Sequence, residues 1–139
     1  MRLLRSVALL SFAIGAIVGC SANNQQGNPF KLPSGHVIRV IGIGPLNYTN
    51  GNAPSLMFQY QTDLKISEKD ALRKEVDEIW SVLKIDAERG SFTSAIVSAH
   101  EVPHGIILKK SQGYNFVYQK NSDGAWYSLD DQPVGSTKP

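Results

Sequence analysis

The chain has 139 residues, with 14 Lys+Arg against 12 Asp+Glu and a single cysteine. Arg2 and Arg5 fall within the first 19 residues, which hold no acid, so the remainder carries 14 − 2 = 12 basic against 12 acidic side chains and no net charge. A neutral domain with no Lys/Arg block argues against nucleic acid and against strong binding to anionic lipid. The lone cysteine excludes an internal disulfide, and about 95 residues beyond the leader and a tether suffice for one small domain.

Residues 1–20 read MRLLRSVALLSFAIGAIVGC: Arg2 and Arg5, an apolar run over 7–18, then small Gly19 before Cys20. Basic start, apolar stretch and small residue at the cut are the parts of a secretory signal, and the run is well short of the ~20 residues that span a bilayer. Its close, Ile17-Val18-Gly19-Cys20, resembles the lipobox of bacterial lipoproteins. The resemblance implies removal of residues 1–19, acylation of Cys20 and attachment to a membrane through it. In enterobacterial lipoproteins an Asp at the second mature position favours the inner membrane. Ser21 there implies the outer membrane, facing the periplasm.

Residues 20–34 are polar and rich in Asn, Gln, Gly and Pro, with no apolar period, and read as a flexible tether to a domain over 35–129. Residues 36–43 (HVIRVIGI) are β-branched and read as the first strand, ending at Gly44-Pro45; 47–54 (NYTNGNAP) is turn chemistry. Gly42-Ile43-Gly44 lacks the third glycine and the helix start of a nucleotide loop. Residues 56–64 alternate: Leu56, Phe58, Tyr60, Thr62 and Leu64 share one face, and Met57, Gln59, Gln61 and Asp63 share the other, which is expected to meet solvent.

Residues 67–89 carry the one strong helix pattern. Ser67 and Asp70 make an [ST]-x-x-[DE] start, and Ala71, Leu72, Val76, Ile79, Trp80, Leu83 and Ala87 form one stripe before Gly90. A helix of about 22 residues is ~33 Å long, enough to run back along the preceding strand and deliver the next one parallel to it. Residues 92–99, 106–110, 114–120 and 125–129 read as four more strands and 130–139 as a polar tail. The expected fold is α+β, one long helix on a mostly antiparallel sheet of five or six strands in ββαββββ order.

Residues 100–104 spell H-E-x-x-H. On a helix, His100 and His104 would face one way to bind zinc and Glu101 would activate a zinc-bound water, giving a zinc-dependent hydrolase. Pro103 between the histidines and Gly105 after them oppose a helix, and no Glu follows Glu101 to serve as a third ligand. His100 and His104 therefore stand as weak metal candidates, with no catalytic residue assigned and no cofactor expected.

Tyr114, Phe116 and Tyr118 share a strand face, which suits a core that receives Trp80 and Leu83; Trp126 and Tyr127 point to opposite faces, so at least one lies off the core. These patterns lead to a non-enzymatic, lipid-anchored binding or accessory module of the cell envelope, with a membrane and an envelope protein as partners. The expected contacts are Trp126, Tyr127, Gln59, Gln61 and Asp63. Residues 56–129 are similar to small lipoprotein domains with no assigned activity. A third alternative is an inhibitor of a hydrolase such as lysozyme. Ser111-Gln112-Gly113-Tyr114 resembles the Ser-and-Gly loop of one such inhibitor family, although that family is β-rich and lacks a long central helix.

Overall fold

The computed structural model describes residues 27–106 and 111–131. The leader, Cys20, Ser21, most of the strand expected at 106–110 and the tail beyond 131 lie outside them. In chain order the elements are β1 (Asn28–Lys31), β2 (Val37–Leu46), β3 (Ser55–Thr62), α1 (Lys69–Arg89), β4 (Ser94–Glu101), β5 (Gly113–Lys120) and β6 (Trp126–Ser128), closed by a 3₁₀ turn, Leu129–Asp131. The fold is α+β: one helix and a six-stranded sheet whose spatial order is also the chain order.

All neighbouring strands are antiparallel except β3 and β4, which are parallel and joined by α1. The crossover is the one that the length of the helical pattern predicts, since only a connection of a dozen or more residues can return the chain to the same end of a sheet. Three strands precede the helix rather than two. The extra one, β1, lies inside the stretch read as a tether. Its sequence, NPFK, is exposed throughout and has no buried alternation to betray a strand. Beyond it, Leu32 is buried, and its N–H donates to the His36 carbonyl across a tight turn.

β2 also runs past the glycines that were expected to end it. Ile41 is an extra residue between Val40 and Gly42 in the pairing with β3, a bulge that lets Gly42, Gly44 and Pro45 continue the strand. Pro45 is tolerated because β2 extends beyond β1 here and has no described strand on its outer side.

The helix begins two residues later than its sequence signal. Glu68 occupies the cap position without a side-chain cap bond; its carboxylate instead accepts the Lys65 N–H at 2.8 Å and braces the entering loop. At the other end Gly90 has an ordinary negative φ, and Ser91 takes the left-handed conformation at φ 57°. Gly90 is needed for room, because a Cβ there would stand 2.5 Å from the Phe92 ring.

One face of the sheet is closed by α1. Leu72, Val76, Ile79, Leu83 and Ala87 of the helix are buried against Leu56, Phe58 and Tyr60 of β3, Ala95, Val97 and Ala99 of β4, and Phe116 and Tyr118 of β5. Small alanines on β4 let the helix sit close over the sheet centre, and aromatics on β5 fill its flank. Trp80 stacks on Tyr118 with ring centroids 4.0 Å apart and meets Trp126 edge-on at 5.1 Å, so the three aromatics of β5 do face the core that receives the stripe.

Glu75 also lies on the buried stripe. Its carboxylate takes the His36 Nε2 at 2.9 Å, and one turn on, Glu78 accepts the Ser34 N–H. These two glutamates clip the β1–β2 turn to the helix. The Tyr60 hydroxyl beside Glu75 is pushed far above its ordinary range, first by burial and then by the carboxylate's charge.

Candidate functional site

Among the described residues no helix covers the opposite face of the sheet, and the 47–54 loop lies against one end of it, where Tyr48 bonds Ser55. Strand registry arranges its side chains in rows that cross the strands. One row is Arg39, Gln61, His100 and Gly113; the next is Gly42, Gln59, Ser98 and Asn115; the third is Gly44, Met57, Ile96 and Val117. The last is Leu46, Ser55, Ser94, Gln119 and Tyr127, in which Ser55 and Ser94 meet through their hydroxyls. Amides and hydroxyls dominate, an apolar row of Met57, Ile96 and Val117 runs through the middle, and none of the four rows contains Asp or Glu.

These polar groups are tied to one another rather than loose. Tyr48 Oη lies 2.8 Å from Ser55 Oγ, which lies 2.6 Å from Ser94 Oγ. Ser98, only 3% exposed, donates to Asn115 Oδ1 at 2.7 Å and has His100 Nε2 at 3.0 Å. The Tyr127 hydroxyl donates to Gln119 Oε1 at 3.0 Å. Side chains already held in place lose less freedom when they bind something.

Ser98 and His100 place a hydroxyl next to an imidazole, the pairing used to activate nucleophiles. Here the single hydroxyl proton goes to Asn115, so His100 Nε2 must carry a proton and donate to Ser98. The imidazole is thus turned the wrong way to take a proton from the serine. The arrangement fixes the ring over Gly113, where a Cβ would stand 3.2 Å from His100 Nδ1.

The H-E-x-x-H segment is split by the sheet. His100 and Glu101 are the last two residues of β4 and point to opposite faces. His100 lies on the uncovered face, whereas Glu101 turns back and accepts the Ile66 N–H at 2.7 Å. His104 lies beyond the strand, so the two histidines do not share the helical face that zincin chemistry needs. Among the described residues no three His, Cys, Asp or Glu side chains gather in a metal-binding group.

The residues expected to make contacts divide among three places. Gln59 and Tyr127 stand on the uncovered face, Tyr127 at 37% exposure; Gln61 shares that face but is buried to 4% between its neighbours, a correction to its expected exposure. Asp63 lies past the end of β3, in an open cleft of about 660 Å³ with Lys65, Glu101, His104 and Gln112. Trp126 is on the helix side, held by Trp80 and by its indole N–H, which donates to Glu88 at 2.6 Å. Glu88 also pairs with Lys120, and these two bonds hold its carboxyl below the usual range. Of the loop compared with lysozyme inhibitors, Ser111 bonds the Glu101 carbonyl, and Gly113 and Tyr114 belong to β5.

Tyr48, Ser55, Ser94, Ser98, Asn115 and Gln119 did not stand out in the sequence. Serines and amides are common, and only the registry of distant strands assembles them. No described helix is long and apolar enough to cross a membrane. No family model, curated protein or solved structure matches the chain.

Proposed function

We propose that this chain is a lipid-anchored envelope protein, held to a membrane through acylated Cys20, whose domain binds another envelope component through the uncovered face of its sheet. The observation that supports a binding role is the contrast between that face and its surroundings. Among the described residues it is broad and free of carboxylates, and its side chains are ordered by hydrogen bonds to one another. The anchor rests on residues 1–20, whose lipobox resemblance supports acylation and an envelope location.

Each part has its own test. Cys20→Ser is expected to leave an unprocessed, unacylated precursor by mass spectrometry; normal cleavage and membrane retention of that variant would refute the anchor. Cross-linking in intact cells followed by capture of the protein is expected to return a specific envelope component, and capture that returns nothing above a Tyr127→Asp variant would refute the binding face.

A further inference from the structure

We propose that the hollow at one end of the uncovered face is a binding site for a neutral saccharide. It has a volume of about 350 Å³ and is walled by Tyr48, Asn52, Ser55, Thr93, Ser94 and Gln119. Its floor is apolar, formed by Ile96 and Val117 with Ala53 at the side. This inference rests on the binding role proposed above and specifies its ligand; acylation of Cys20 has no part in it.

The chemistry of the walls selects the ligand class. Among the described residues no charged side chain lines the hollow, so a phosphate or carboxylate meets no cation among them and a cation meets no carboxylate. A wholly apolar ligand would strip water from the Thr93 hydroxyl, the Asn52 amide, the Gln119 N–H groups and the one hydroxyl proton that the Tyr48–Ser55–Ser94 chain leaves over, at a cost of ~1–3 kcal/mol for each group left unpaired. A neutral polyol with one C–H face satisfies both the walls and the floor.

The hydroxyl chain Tyr48–Ser55–Ser94 adds a feature that matches sugars closely. Three hydroxyls joined by two hydrogen bonds have one proton left over. If the bonds run from Tyr48 toward Ser94, Ser94 donates outward; if they run the other way, Tyr48 does. Reversal needs only rotation of O–H bonds, so either end of the chain can meet a sugar hydroxyl as donor or acceptor. Ser55, 3% exposed, anchors the chain from below. The Tyr127 hydroxyl occupies Gln119 Oε1 and leaves the amide N–H groups of Gln119 to donate into the hollow.

Two tyrosines bracket the row, Tyr48 at 38% and Tyr127 at 37% exposure, with Ser55, Ser94 and Gln119 between them. From β3 to β6 the row spans three strand spacings, about 14 Å, which suits a short oligosaccharide lying across the strands with its rings against tyrosine faces.

The test is a titration of the ¹⁵N-labelled full chain, followed by amide chemical shifts, with chitotetraose and maltotetraose as neutral probes and an oligogalacturonate as the acidic one. At least one neutral probe is expected to move the amides of Ser94, Ile96, Val117 and Gln119. Gln119→Ala and Ser94→Val should weaken binding by about tenfold or more, as loss of a bond worth ~1.4 kcal/mol does, while the remaining spectrum keeps the dispersion of the folded chain. Tyr48→Phe, which removes only the terminal hydroxyl, should weaken it less. No shift with either neutral probe at millimolar concentration would overturn the proposal. So would shifts centred on Asp63 and His104, an equal response to the acidic probe, or a protein partner cross-linked to this row in place of any sugar. A chain that proves not to be acylated would leave the titration unchanged, whereas a failed titration alongside a cross-linked partner would remove the sugar and keep the binding role.

Discussion

The two faces of the sheet are built from the same strands and differ in chemistry and burial. Under α1, alternate residues are Leu56, Phe58 and Tyr60, Ala95, Val97 and Ala99, all buried in one cluster. On the other side the residues between them are Met57, Gln59 and Gln61, Ser94, Ile96, Ser98 and His100. A strand gives every second side chain to each face, so β3 and β4 carry the core and the proposed binding surface side by side. Stability should therefore be concentrated on one face and binding on the other, with little overlap although the residues alternate along the chain.

Truncating side chains on each face in turn tests whether stability and binding are divided between them. Trp80→Ala removes a ring stacked on Tyr118 and touching Trp126, and should cost about 3–5 kcal/mol in urea unfolding. A loss below about 1 kcal/mol would mean the aromatic cluster is not part of the core. A smaller effect is expected at the clip between hairpin and helix. His36→Ala leaves the Glu75 carboxylate buried without its imidazole partner, and should cost about 1–2 kcal/mol because His36 itself is half exposed.

Two titratable groups on the helix side make stability depend on pH. Tyr60 ionises less readily folded than unfolded. Its contribution is complete below the unfolded value near pH ~10 and declines as pH rises past it, so alkaline unfolding should shift to higher pH in Tyr60→Phe. Glu88 is depressed by Lys120 and Trp126. Its contribution is present above the ordinary carboxylate range and lost as pH falls through the depressed value, so Glu88→Gln should flatten the acid limb of the stability curve. The smallest effect belongs to the uncovered face: Gln59→Ala and Gln119→Ala should change stability by no more than about 0.5 kcal/mol while altering binding.

Much of the covered face was legible in the sequence, because hydrophobic periodicity reports burial directly. The 56–64 alternation separated the two faces of β3, the stripe on residues 71–87 located the helix, and Trp126 and Tyr127 divided as adjacent strand residues must. Glu75 was missed on that stripe because its partner, His36, lies 39 residues away. β1 was missed because a four-residue edge strand buries nothing of its own. The uncovered face was hardly legible. Gln59 and Tyr127 could be assigned to it by alternation, but Ser55, Ser94 and Gln119 become a row only when β3, β4 and β5 pair in register. Composition cannot distinguish a serine in such a row from one in a turn.

The most direct test of a binding surface on the uncovered face is site-specific photo-cross-linking in intact cells. A photoreactive side chain would be placed at Gln59 or Gln119 on that face, and at Lys74 or Lys84 on the solvent side of α1. A discrete adduct from positions 59 and 119 and none from 74 and 84 is the predicted result. Adducts from the helix alone would rule out binding at the uncovered face and move the binding surface to the other side of the molecule.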